Sequence, residues 1–432
     1  MTAAIVSLAA LVFAIVLSCV SHVNVGFVAI LLASAVGVLV AGMSLGEVVA
    51  GFPAPLFLIL VGVTLLFSQA RTNAMLERAA QHAVALCRGK RALIPILFFL
   101  FFLVAVLLSS AGPGNIAAAV LVAPVAMSAA SRERIPAFLM AIMVGTGASA
   151  GSLSPLAPAG IVANEIMAKA GLTDVALWNY LNNLLVHCVV AAGGYVLFGG
   201  RRLLATGAGA ERQMLPSMGP AGAPLVVRPE PFERAHVVPL LVIGGLMVGV
   251  ILFRVNVGMG AFAGALVLTT FKMADEERAI AEIPWRVIMM VCGVTVLIAV
   301  LEKTGGLDLL ASMVARISTE RTVTGVAAFF TGAISLYSST SGVVLPALLP
   351  TVPRLIEQLG GGDALAIASA INVGGHLVDV SPLSTIGAIC LASAPRDEDS
   401  RTLFNKLMAW GLTMVVVGAL ICWVCFGVLR LP

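Results

Sequence analysis

The stretch Ser109-Ser110-Ala111-Gly112-Pro113-Gly114-Asn115 limits what this chain can fold into more than any other. It sets helix breakers and small polar groups between Phe98-Phe99-Leu100 and Ala117-Ala118-Ala119-Val120, in a chain with 60% hydrophobic and 11% charged residues. In hydrocarbon an unpaired backbone N–H or C=O is so costly that a broken segment persists only where protein or a water-filled cavity satisfies it. A second such stretch, Ser338-Ser339-Thr340-Ser341-Gly342, follows 229 residues later, again between apolar flanks. Two matched breaks suggest one two-fold device.

Over 432 residues this composition describes a polytopic all-α membrane protein, not a soluble domain on one anchor. Apolar runs of about spanning length lie near 4–21, 24–42, 55–70, 136–150, 178–199, 237–253, 257–272, 286–301, 363–379 and 404–430. The first has no preceding Lys or Arg, so it reads as a spanning helix and not as a cleavable signal. Amphipathic pieces near 73–90 and 306–318 suit helices lying along the interface. The seven cysteines sit mostly in apolar runs, and Cys422 and Cys425 read as packing groups in a continuous helix. No phosphate loop, nucleophile elbow, paired metal-ligand motif or basic patch points to a soluble enzyme or to nucleic acid.

Residues 201–235 are polar and rich in Gly and Pro, and read as a cytoplasmic linker between halves 1–200 and 236–432. The halves correspond. Phe52-Pro53 answers to Ile283-Pro284 and Gly62-Val63-Thr64 to Gly293-Val294-Thr295 at an offset of 231, and Ser154-Pro155-Leu156 answers to Ser381-Pro382-Leu383 at 227. Most of the 25 Lys and Arg fall in the loops at 71–91, 132–134, 201–234, 272–286 and 396–406, which places those loops in the cytoplasm. Both ends of 92–131 then become cytoplasmic and both ends of 322–353 external, so each reads as a re-entrant hairpin. The expected architecture is an inverted repeat with about ten transmembrane helices, two hairpins, and broken helices at 136–171 and 363–394.

Four interruptions would then converge: the two tips, Gly151 to Pro158, and Asp379 to Thr385. Free N–H groups at helix starts attract an anion and free carbonyls at helix ends attract a small hard cation, so together they describe a site for an anion with Na⁺. The four interruptions carry no Lys or Arg, which leaves hydroxyls, Asn115, helix ends and bound cations to neutralise the anion. Asp379 and His376, one turn apart, are candidates for Na⁺ ligation or proton coupling. A carboxylate satisfied by local amides is the plainer alternative for Asp379, and His187 reads as a packed histidine.

The order of tip, broken Ser-Pro helix, linker, second tip and second broken Ser-Pro helix resembles the ion transporter superfamily, in particular its divalent anion:sodium symporters. Ser110-x-x-x-Gly114-Asn115 is similar to that family's first Ser-Asn-Thr hairpin. Tyr337-Ser338-Ser339-Thr340-Ser341-Gly342-Val343-Val344-Leu345-Pro346 looks closest to the malonate and C4-dicarboxylate carrier branch. The resemblance implies Na⁺-coupled dicarboxylate transport across the cytoplasmic membrane by an elevator movement, in a homodimer. By matched position it implies one Na⁺ site at Ser110, Gly114 and Asn115 with the Ser152 to Ser154 backbone. It implies a second at Ser338, Ser339 and Thr340 with Asp379 to Ser381, and a substrate lined by Asn115, Thr340, Ser341, Pro155 and Pro382. Ile116, Thr340 and Gly160 depart from the pattern, standing where the family has Thr, Asn and often Asn. A proton-coupled carrier, a Na⁺/H⁺ antiporter and an accessory membrane subunit remain the alternatives.

Overall fold

The computed structural model describes residues 2–21, 23–72, 94–132, 135–200, 234–253, 255–394 and 398–430. The amphipathic piece at 73–90 and all but the last residues of the expected linker lie outside them. Among the described residues every regular element is a helix.

The first half runs α1 (Thr2–Val20), α2 (Val25–Ala35), α3 (Leu45–Val49), α4 (Ala54–Thr72), α5 (Ile94–Ser110), α6 (Gly114–Arg132), α7 (Ala137–Gly151), α8 (Pro158–Lys169) and α9 (Ala176–Tyr195). The second runs α10 (Arg234–Phe253), α11 (Val257–Thr270), α12 (Glu276–Ala281), α13 (Trp285–Lys303), α14 (Gly306–Arg316) and α15 (Val323–Ser335). After a π-helical turn at Thr340–Val344 come α16 (Leu345–Leu348), α17 (Val352–Leu359), α18 (Ala364–Leu377), α19 (Thr385–Ala392) and α20 (Ser400–Cys422).

The order of the first half recurs in the second, down to its capping chemistry. Asn24 caps α2 by accepting from the Gly26 amide, and Asn256 caps α11 by accepting from Met259. Ser44 caps α3 and Asp275 caps the equivalent α12. Each such side chain satisfies an N–H that a helix start leaves without an intrahelical partner.

The halves also cross each other through matched glycines. A Cβ on Gly293 of α13 would lie 2.1 Å from the Gly26 carbonyl oxygen of α2, and one on Gly62 of α4 would lie 2.7 Å from that of Gly258 in α11. Backbones this close pack by van der Waals contact where no hydrophobic force distinguishes helix from lipid. One apolar core joins α5, α6, α7, α9, α15, α18 and α20 around Phe101, Met140, Met143 and Val373. Two others gather α1, α2, α4, α8, α11 and α13.

Five described helices are long and apolar enough to cross a membrane unaided: Thr2–Val20, Ala54–Thr72, Ala176–Phe198, Trp285–Lys303 and Ser400–Val428. Further apolar helices, among them Val25–Val40, Ala137–Gly151 and Ala364–Leu377, have only 10–17 residues. The expected ten full spans are therefore partly shorter pieces, because Gly, Ser and Pro interrupt them before about 20 residues are reached. The pair Val323–Ser335 and Thr340–Leu359 is bent by 119° at its break. The expected interfacial piece forms α14, which buries Leu307 and Ala311 and leaves Met313 exposed. The fold is that of an all-α polytopic membrane protein.

Candidate functional site

A cavity of about 860 Å³ is lined by both tips, Gly112 to Ala117 from one half and Tyr337 to Ser341 from the other. Its wall continues through His376, Asp379 and Leu383 to Ile386 of the second broken helix, Pro158 and Ala159 of the first, and the ends of α1, α4 and α13.

The first tip turns on Gly112, whose φ of +129° no L side chain adopts readily. A Cβ there would lie 2.0 Å from the Phe67 ring of α4, so the turn is pressed against the cavity wall. Gly114 follows at φ +82°, and the Asn115 side chain accepts from the Ile116 amide at 3.0 Å. At the second tip the Ser339 hydroxyl accepts from the Gly342 amide at 3.1 Å, and Ser338 bonds Ser18 of α1 at 2.9 Å. The Thr340 hydroxyl donates to Asp379 Oδ1 at 3.0 Å and also meets the buried Ser335 hydroxyl.

The two helix breaks close in the same way. The Gly160 amide donates to the Ser152 carbonyl at 3.0 Å, and the Gly387 amide, 227 residues on, donates to the Asp379 carbonyl at 3.2 Å. A Cβ on Gly160 would lie 2.0 Å from the Ser154 carbonyl oxygen, and one on Gly387 would lie 2.0 Å from that of Ser381. In each Ser-Pro-Leu the serine hydroxyl accepts from the leucine amide at 3.3 Å. Gly160, which departs from the family pattern, is thus required by its own backbone. Asp379 takes the place that Ser152 has in the first half.

At the first tip and first break, carbonyls expected to be free are taken. Ser149 O accepts from the Ser152 hydroxyl at 2.7 Å and from Asn183 Nδ2 at 2.9 Å, and Asn183 also reaches Ala150 O at 3.0 Å. The Ser154 hydroxyl donates to Ser110 O at 2.7 Å, and the Ser110 hydroxyl bonds Tyr180 at 2.9 Å. These serines fasten the first tip to its broken helix. A helix end buried in protein needs such partners, and α9 supplies them.

The cavity wall therefore brings together Gly114, Asn115, Ser338, Ser339, Thr340, Ser341, His376 and Asp379. Ser110, Ser152, Ser154, Pro155, Ser381 and Pro382 shape the tip and the breaks behind that wall. His376 and His187 each hydrogen-bond through Nδ1 to the carbonyl one turn back, of Asn372 and Asn183, at 2.8 Å. Among the described residues no three His, Cys, Asp or Glu side chains gather as a metal site. The wall offers hydroxyl and amide oxygens and the carboxylates of Asp379 and Glu282, donors that suit a hard cation better than a transition metal.

Sequence reasoning missed the part of the wall outside the broken elements, Ser18, Cys19, Ser21, Thr64, Ser68, Arg71, Glu282 and Arg286, and within the second break it singled out neither Ser384 nor Thr385. The four interruptions carry no Lys or Arg, yet Arg71 from α4 and Arg286 from α13 line the same cavity. Each lies at the end of its helix in a cation-rich loop and reads, in sequence, only as a topology signal.

This fold places the chain in the class of all-α multi-pass membrane proteins. A crystal structure of the YdaH transporter of Alcanivorax borkumensis, described as having an unusual topology, is similar with a TM-score of 0.55 at 16% identity, over 88% of this chain and 87% of that one. At that identity the likeness concerns the fold alone. Residues 1–152 match the family model of the N-terminus of the dicarboxylate carrier protein MatC. No curated protein matches the chain.

Proposed function

We propose that this chain is a secondary active transporter that carries a dicarboxylate-type anion across the cytoplasmic membrane together with Na⁺. The observation that carries the reading is that Asn115 of one tip and Ser338 to Ser341 of the other line one cavity with Asp379. The match of residues 1–152 to a dicarboxylate carrier N-terminus supports the substrate class.

In this reading the halves are oppositely oriented, and the hairpins enter from opposite faces of the membrane. The second tip offers Na⁺ the oxygens of Ser338, Ser339 and Thr340 with the Asp379 carboxylate, and the first offers Gly114 and Asn115. Asn115, Thr340 and Ser341 hold the anion, while Pro155, Pro382 and Ser381 keep the breaks open and Ser110, Ser152 and Ser154 fix the first tip. Cation binding precedes anion binding, because the tips themselves carry no positive side chain. The α5–α9 and α15–α20 body then moves as an elevator against the remaining helices, in a homodimer. Net charge moved inward draws on the membrane potential, about 2.3 kcal/mol per charge per 100 mV.

Proteoliposomes of the purified chain test this. Uptake of malonate or succinate should rise steeply with Na⁺ on the outside. Uptake that ignores Na⁺ and follows a pH gradient would move the coupling to protons. That second reading has a specific observation behind it, the carboxyl of Asp379 with His376 beside it in the same wall. Cation exchange with no organic anion carried would instead mark a Na⁺/H⁺ antiporter.

A further inference from the structure

Arg71, at the end of α4, reaches Glu282 through Nε at 2.9 Å and through its terminal nitrogen at 2.8 Å. Both residues line the cavity. The Arg71 side chain is 36% exposed and that of Glu282 is 26% exposed, so the pair is open to a water-borne solute. Glu282 has a second partner, since Arg278 of α12 donates to its other oxygen at 3.2 Å. The acid is therefore shared between two guanidinium groups, only one of which faces the cavity.

We infer that Arg71 forms a carboxylate-binding subsite in the cavity wall, at which the anion's second carboxylate replaces Glu282 as its partner. The inference rests on the transport reading and assigns it a specificity element outside the tips. The exchange leaves no charge without a partner: Glu282 keeps Arg278, and Arg71 trades one carboxylate for another. A guanidinium presents paired donors that match a carboxylate edge to edge, which an ammonium does not. The arrangement favours a dianion over a monoanion. One carboxylate sits at the tips with the cations and the other at Arg71.

The test uses the full-length chain, with malonate and succinate compared against their monoamides, malonamate and succinamate. Binding is read as ligand-induced thermal stabilisation with Na⁺ present, and transport as initial uptake rates. Arg71→Gln should weaken dianion binding about tenfold and monoamide binding by about twofold or less, the scale of one charge-assisted pair. Arg71→Lys should fall between. Glu282→Gln should move dianion affinity the opposite way, since it removes the competitor, and this variant decides the matter should Arg71→Gln fail to fold. Dianion affinity unchanged in Arg71→Gln, or weakened alike by Glu282→Gln and Arg71→Gln, would overturn the inference while leaving the transport reading standing. If the unaltered chain is stabilised by none of the four acids, both readings fall together.

Discussion

The Thr340 hydroxyl donates to the Asp379 carboxylate across 3.0 Å, joining a hairpin tip to a helix break. In the first half the equivalent junction has no acid, and Ser154 donates instead to the Ser110 backbone at 2.7 Å. One junction is a closed fastening. The other keeps a carboxylate in the cavity wall.

Asp379→Asn tests that asymmetry directly. The amide keeps an oxygen for Thr340 and removes the charge, so the chain should fold while its dependence on Na⁺ concentration flattens and uptake falls at least about tenfold, one charge-assisted contact. Uptake measured against Na⁺ at fixed membrane potential checks this. Full Na⁺ dependence in the variant would exclude Asp379 from coupling.

Thr340→Val keeps the volume and deletes the donor. Asp379 and Ser335 then each lose a buried partner, at a cost of about 1–3 kcal/mol. The apparent melting temperature should drop, and Na⁺ should restore it less than in the unaltered chain.

Cys19 lines the cavity beside Ser18, whereas Cys292, Cys390 and Cys422 are buried. In a variant retaining Cys19 as its one cysteine, an impermeant maleimide should label from the side of the cation-rich loops. Dicarboxylate with Na⁺ should slow that labelling. Equal rates with and without both ligands would place the substrate elsewhere.

Gly160→Ala and Gly387→Ala should each destabilise the chain, because the new methyl would sit 2.0 Å from a backbone carbonyl oxygen that cannot rotate away. Overpacking of this kind costs about 1–3 kcal/mol or more. Gly193→Ala, with nothing within 4 Å of its Cβ, should leave the melting temperature unchanged or raise it. Equal melting temperatures for all three variants would refute the close return of each broken helix.

Much of the fold was legible because membrane helices advertise themselves. Lipid forbids unpaired backbone, so the apolar runs had to be helical, and the breakers at Gly112-Pro113-Gly114 and Ser338 to Gly342 had to mark turns facing protein or water. The correspondence of Ser154-Pro155-Leu156 with Ser381-Pro382-Leu383 reappears as the same hydrogen bond in both breaks, donated by the leucine N–H to the serine hydroxyl. Of the candidate residues, those at the tip apices reach the cavity. Ser110, Ser152 and Ser154 do not, because a hydroxyl near a helix end is as readily used to satisfy backbone as to bind a ligand.

The amino-acid sequence by itself determined where helices start, stop and repeat, since capping groups, breakers and apolar periodicity act within a few residues of the backbone they govern. Which side chains share the cavity was decided only in three dimensions. Arg71 and Glu282 lie 2.8 Å apart across 211 residues, and Ser18 reaches Ser338 across 320. No local rule encodes such meetings, because they follow from how whole helices from the two halves pack, glycine against backbone, around a common space.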